Sequence, residues 1–231
     1  MGEFAHVAID GPVASGKTTV ARALAQRLGY LYLDTGAMYR AVALLAIRAG
    51  ANAADDAAIV ALADAHPLDV RVDRAAPLGF RIAADGHEFG AELFGDDVNA
   101  VVSLVAALPG VRERLVARQR AIASGGPVVM AGRDIGTVVL PDAPIKVFLT
   151  ASVESRVRRR LAELGARGTQ VDANVLRAQI IERDRLDEGR AIAPLRAAAG
   201  AVMIDSSALS IEAVVDRIAG LLADRNAAAR P

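Results

Sequence analysis

The stretch "AIDGPVASGKTTVAR", residues 8–22, decides how the rest of the chain is read. It contains Gly11, four further residues, then Gly16-Lys17-Thr18, directly after an apolar run. Lysine is rare here: only Lys17 and Lys146 among 27 basic residues. The pattern Gly-x4-Gly-Lys-[Ser/Thr] would therefore arise by chance on the order of once per thousand chains of this composition. "FAHVAI" (4–9) suits a short buried parallel strand. "TTVARALAQRLG" (18–29) repeats apolar residues at Val20, Ala21, Leu24 and Leu28, the spacing of a helix face, and ends at Gly29 as a cap. The loop Gly11, Pro12, Val13, Ala14, Ser15, Gly16 is thus predicted to open a helix, where backbone N–H groups and the positive end of the dipole face an anion. Lys17 is expected to reach terminal phosphates and the Thr18 hydroxyl, followed by Thr19, to be placed for Mg2+. A nucleoside triphosphate is the ligand this strand–loop–helix predicts.

Composition narrows the rest. Acidic and basic residues balance to a formal net charge of zero, so no global field draws nucleic acid or an anionic membrane. There is no cysteine, hence no disulfide framework, thiolate metal site or thiol nucleophile. His6, His66 and His87 are scattered rather than clustered. The longest uncharged stretch, residues 98–111, is too short and too interrupted by Asn, Pro and Gly to span a bilayer. The N-terminus lacks a basic segment followed by an apolar one, so the cytoplasm is the expected location. The strong preference for Arg over Lys weakens any inference from a single arginine and strengthens the one from Lys17.

Further apolar runs at 30–33, 127–132, 145–150 and 201–205 alternate with helical patterns at 36–48, 110–123, 153–164, 172–186 and 210–222. Strands alternating with helices predict an α/β fold: a P-loop NTPase-type parallel sheet flanked by helices. Residues 68–93 break the rhythm. "LDVRV", "GFRIAA" and "HEFGAEL" alternate, with Asp85-Gly86 as a hairpin signal, and read as a small antiparallel three-stranded insertion. The tail from 223 to 231 reads as frayed.

A phosphate loop alone does not choose between a motor, a GTPase and a small-molecule kinase. The guanine-reading pattern Asn-Lys-x-Asp is absent. Polar clusters stand where strands end or helices begin, at "DTGAMYR" (34–40), "GRDIGT" (132–137) and "ERDRLDEGR" (182–190), the places where open α/β sheets put ligands. "DGPVASGKTT", "LDTGAMYRAVAL", "VSLVAALPGVRERLVARQR", "AGRDIGTVVLPDAPIKVFL" and "RDRLDEGRAIAPL" follow one another in the order and spacing of the bacterial cytidylate kinase family, which the chain resembles over nearly its whole length. Thr35 stands where that family often has Ser.

The resemblance implies transfer of the ATP γ-phosphoryl group to CMP or dCMP, with Mg2+, by a monomer that uses neither nucleic acid nor membrane. It implies ATP contacts from residues 11–19 and Arg156, and catalytic roles for Lys17, Arg133, Arg160 and Arg190. Arg40, Arg133 and Arg190 would clamp the acceptor phosphate, with Thr35 and Tyr39 beside them. Ser103 and Asp134 would face the cytosine N4 amino group, Arg112 the N3/O2 edge, and Arg183 and Asp187 the ribose. It also implies a division into a core (1–34, 109–151 and 191–231), an acceptor-binding insertion (35–108) and a lid (152–190).

The residues support the chemistry independently. An acceptor phosphate is already ionised at neutral pH, so no general base is needed; anions must be held in line and neutralised, which the planar arginine fork does well. Plainer readings stay open for single positions. Ser103 suits helix packing, Arg183 and Asp187 an i,i+4 ion pair, Arg133 and Asp134 structural pairing, and Arg156, Arg159 and Arg160 a solvated face. Another P-loop kinase, acting on a different nucleoside monophosphate or on a sugar-like alcohol with, for example, Asp34 as base, and a non-catalytic ATP-binding regulator or motor module are the alternatives.

Overall fold

In the computed structural model, which describes residues 5–73, 76, 79–166 and 168–228, the strand before the phosphate loop is β1 (Val7–Asp10). All four of its residues are buried, as a strand covered on both faces requires. In chain order there follow α1 (Lys17–Leu28), β2 (Leu31–Asp34), α2 (Thr35–Arg48), α3 (Asp56–Ala65), β3 (Asp69–Val72), β4 (Phe80–Ala84), β5 (His87–Phe89), α4 (Asp96–Val105) and α5 (Pro109–Ala123). The chain continues through β6 (Val128–Gly132), β7 (Ile145–Thr150), α6 (Val153–Ala166), α7 (Ala173–Glu188), β8 (Val202–Asp205) and α8 (Ile211–Ala228). A five-stranded sheet has the order β2-β6-β1-β7-β8, and β3-β4-β5 form a second sheet. In the first, Ala8 lies opposite Met130 and Lys146 in parallel register, and Phe148 opposite Met203. The α/β class with a three-stranded antiparallel insertion is therefore what the chain adopts.

The chain divides into two compact units, Met1–Tyr30 with Val129–Pro231, and Leu31–Val128. In the first, α1 packs along α8 and α6 along α7. Gly29 caps α1 in the left-handed region (φ +69°), donating its N–H to Ala25 and Gln26 carbonyls. In the second, α2 packs on α4. The small sheet pairs Val70 with Ile82 and Ile82 with Phe89, and Val70, Phe80, Ile82, Ala84 and Phe89 form its buried face. Asp85 and Gly86 both have positive φ (51° and 77°), as a two-residue hairpin of the I′ type requires.

Several expectations are corrected. The first strand runs 7–10 rather than 4–9; Phe4 lies outside the described residues. The third strand of the insertion stops at Phe89, and Ala91–Phe94 form a 3-10 turn. Helices α3 and α4 were not among the predicted helical patterns: α3 is alanine-rich and nearly unpatterned, with Asp55 capping the Ala58 N–H, and α4 buries Val98, Val102 and Val105 from a stretch whose period was not read, although helix packing was one reading of Ser103. The tail is not frayed through 228, because α8 extends to Ala228.

Gly11 has a stricter requirement than room for phosphate. Its φ is +151°, and a Cβ there would lie 2.0 Å from the Leu149 carbonyl oxygen of β7. Gly200 also has a positive φ, +72°, but nothing lies within 4 Å of an added Cβ. Gly200→Ala should thus cost only the left-handed strain, about 1–2 kcal/mol. Gly11→Ala adds a backbone clash and should lower the thermal midpoint by several degrees more, read by circular dichroism; equal shifts for the two variants would refute this account.

Candidate active site

The phosphate loop is built by the end of β1 and the start of α1. Gly16 (φ +92°) precedes α1, and no side chain caps that helix. Its first turn has no acidic residue, so nothing on it opposes an anion. Ala14 adopts a left-handed φ of +57°, unusual outside glycine and a mark of a loop whose shape serves its ligand. Lys17 is 7% exposed; its Nζ donates to the Pro12 carbonyl at 2.6 Å and the Ser15 hydroxyl at 3.3 Å, so the ammonium is held against the loop itself. Thr18 and Thr19 are exposed on the first turn.

Two arginines of α6 touch the same loop. Arg156, buried, donates through Nη1 to the Val13 carbonyl at 3.2 Å and to Asp184 at 2.6 Å. Arg159 donates to the Ser15 carbonyl at 3.3 Å and reaches the Ser206 hydroxyl and carbonyl at 3.1 and 2.5 Å. Arg160, favoured in the sequence, pairs with Glu163 at 2.9 Å. The sequence reading did not single out Arg159. The signal was available only as spacing, since 156, 159 and 160 share a helix face and spacing does not tell which of them meets a loop distant in sequence.

A second cluster forms around Asp187, 1% exposed near the end of α7. Its carboxylate accepts from Arg133 Nε at 2.7 Å and from Arg190 Nη2 in a very short contact. Burial alone would raise its pKa. The guanidinium groups of Arg133 and Arg190 outweigh burial, Arg183 adds to the same field, and the carboxyl is held below its ordinary range. Arg133 and Asp134 follow β6 directly, and Asp134 is buried. The structure therefore gathers Arg133, Arg183, Asp187 and Arg190 into one network, with Asp134 beside Arg133 in sequence. Asp187 stands one helical turn after Arg183, and it holds two of the arginines assigned to phosphate.

In the other unit, Arg40 in α2 donates to the Leu93 carbonyl at 3.0 Å and to Asn99 Oδ1 at 2.8 Å, and its guanidinium lies 5.2 Å from the Phe94 ring centroid. Arg112 in α5 is 4% exposed, donates to the Ala106 carbonyl at 3.1 Å and stands over the Tyr39 ring at 5.7 Å. Ser103, half-buried, lies on α4, and Thr35 is the buried first residue of α2. Asp34, the base required by an alcohol acceptor, caps α2 by accepting the Gly36 N–H at 3.0 Å. Among the described residues no group of three or more His, Asp or Glu side chains is disposed to hold a metal ion, and no helix is long and apolar enough to cross a membrane.

The family model for cytidylate kinase matches residues 7–224. The chain belongs to the cytidylate kinase family. A cytidylate kinase of Pelotomaculum thermopropionicum is 54% identical over 94% of this chain and 96% of its own length. Those of Geobacillus kaustophilus and Mycobacterium avium are 48% and 47% identical, over 95% and 97% of this chain and 96% and 97% of theirs. A solved structure of an uncharacterised protein from Eubacterium ventriosum aligns with a TM-score of 0.53 at 14% identity, covering 96% of this chain and all of that one, a likeness of fold alone.

The Asp187 network yields a pH-dependent expectation. A carboxyl whose folded pKa lies below its ordinary 3.8 stabilises the fold fully above that value and loses the contribution as pH falls through the depressed one. Asp187→Ala leaves two mostly buried arginines without their shared carboxylate and should destabilise the protein by on the order of 3 kcal/mol at pH 7. The gap between variant and wild type, measured by denaturant unfolding, should narrow only below about pH 4; a gap independent of pH would contradict the assignment.

Proposed function

We propose that this cytidylate kinase family member transfers the γ-phosphoryl group of ATP to CMP or dCMP, giving ADP and CDP or dCDP. The bond from the γ-phosphorus to the β-bridging oxygen breaks as an acceptor phosphate oxygen forms the new one. That oxygen is already anionic near neutral pH, so no proton must be removed by the protein. The work of the chain is binding, alignment and charge neutralisation. The observation that carries the reading is the cationic set of one unit, Lys17, Arg156 and Arg159 on the phosphate loop with Arg133 and Arg190 held on Asp187.

In this reading residues 11–19 bind ATP, Lys17 meets its terminal phosphates, and Arg156 approaches them from a lid spanning 152–190, with Arg160 as the further contributor. Arg133, Arg190 and Arg40 take the acceptor phosphate, Arg183 and Asp187 the ribose, and Ser103, Asp134 and Arg112 the cytosine edge, with Thr35 and Tyr39 alongside. A carboxylate facing the N4 donor of cytosine would meet the O4 acceptor of uracil with repulsion, while a hydroxyl can accept from the first or donate to the second. Such an edge is worth about 1–3 kcal/mol in base readers. The proposed core is 1–34, 109–151 and 191–231, and the acceptor-binding insertion 35–108.

The donor set fits a divalent cation carried by the nucleotide. Thr18 offers one exposed hard oxygen on the first turn of α1, and no side-chain cluster among the described residues competes for the ion. Mg2+, held there by Thr18 and phosphate oxygens, would neutralise charge on the β- and γ-phosphates. The same reading takes the protein as a monomer acting in the cytoplasm.

A coupled ADP-release assay with Mg-ATP and CMP, dCMP, UMP, AMP, GMP or no acceptor tests this directly. Turnover should be confined to CMP and dCMP; turnover with another acceptor alone, or without any, refutes it. Asp134→Asn should raise KM for CMP at least tenfold while KM for ATP stays within twofold, and Lys17→Ala should abolish turnover with both acceptors. Equal losses toward ATP and CMP in Asp134→Asn would remove Asp134 from the acceptor.

A further inference from the structure

Asp10 ends β1 and immediately precedes Gly11, and it is only 2% exposed. Its two carboxylate oxygens accept hydrogen bonds from the backbone N–H groups of Ile135 and Gly136, each at 2.7 Å. Those two peptides open a five-residue π turn, Ile135–Val139. The Asp134 carbonyl closes the turn by accepting the Val138 and Val139 N–H groups at 2.8 and 3.2 Å. A Cβ at Gly136 would lie 3.4 Å from the carboxylate, an ordinary contact, and 3.1 Å from Ala198 Cβ, so it is Ala198 that crowds this position. π turns are rare and concentrate at functional sites.

Two N–H donors facing one side chain require two acceptor oxygens. An ionised carboxylate supplies both, whereas Asn would turn an amide N–H toward one of the donors. We propose that Asp10 is a positioning residue for the acceptor nucleotide: by gripping Ile135 and Gly136 it sets the direction in which Arg133 and Asp134 leave β6. Because Gly11 follows it, the same residue ties that direction to the loop that receives the donor phosphates. The inference rests on reading Arg133 and Asp134 as acceptor contacts.

The charge state of Asp10 follows from its surroundings. The net effect holds its carboxyl at about 6: burial raises it most, the Gly136 and Ile135 N–H groups pull it down, Asp134 pushes it up and Lys17 pulls it down. Lys146 of β7 also borders Gly136, its Cδ 3.5 Å from where a Cβ would stand. Above about pH 6 both oxygens accept; below it one becomes a hydroxyl donor facing an N–H, and the grip loosens.

Kinetics of Asp10→Asn against wild type, from pH 5 to 8, test the role. At pH 8 the variant should show at least a tenfold higher KM for CMP, with KM for ATP within twofold. The wild-type advantage in kcat/KM for CMP should shrink to within threefold at pH 5. CMP's own phosphate titrates in this range but identically for both proteins, so it cancels in the ratio. An unchanged KM for CMP, parallel losses toward ATP and CMP, or a ratio constant with pH would overturn the proposal. Should the variant fail to fold, wild-type NMR decides. The Ile135 and Gly136 amides and the Arg133 Nε–H should shift together with a midpoint near 6, whereas amides that move without Arg133, or do not move, would overturn it. Failure of the acceptor reading looks different: unaltered protein would not turn over CMP at all.

Discussion

Phosphate recognition concentrates positive charge, and that charge has to be tolerated when no phosphate is present. An unpartnered buried cation is costly, far more than any single hydrogen bond returns. Five cations of the first unit are each given an oxygen. Lys17 leans on Pro12, Arg156 is shared between Val13 and Asp184, Arg159 is held by Ser15 and Ser206, and Arg133 and Arg190 divide Asp187. The guanidinium planes are thus fixed on folding, and in the proposed function this would meet much of the ordering cost of substrate binding in advance.

The same economy of position governs the backbone. One strand end, Asp10-Gly11, meets two different neighbours. Gly11 lies against the Leu149 carbonyl of β7, and Asp10 holds the turn after β6. Parallel register of β1 with both β6 and β7 is what brings these partners to it. The loop assigned to one substrate begins at Gly11 and the arm assigned to the other is held by its neighbour Asp10, so a small shift of β1 would disturb both.

Elements with a strong period or an uncommon residue were legible in the sequence. β7, α1 and the three-stranded insertion follow their apolar patterns closely, and the rarity of lysine made Lys17 unmistakable. Helix α3 was missed because a run of alanines carries helix propensity but almost no contrast between faces; only Asp55 hinted at its start. Helix α4 lay in a stretch read for its lack of charge and for the family motif rather than for its period, although Val98, Val102 and Val105 have the spacing of a buried stripe. The contacts of Arg159 with Ser15 and of Asp10 with Ile135 join residues more than a hundred positions apart. Local pattern holds no information about such pairs, and an arginine-rich composition hid the first of them further.

The central claim is that the protein contributes alignment and charge, and never bonds to the transferred group. The stereochemical course of transfer from ATP made chiral at the γ-phosphorus tests that claim most directly. A single in-line displacement onto CMP predicts inversion of configuration at phosphorus. Retention would require two displacements through a phosphorylated side chain, and would contradict an account in which arginines and Lys17 do the work without a nucleophile.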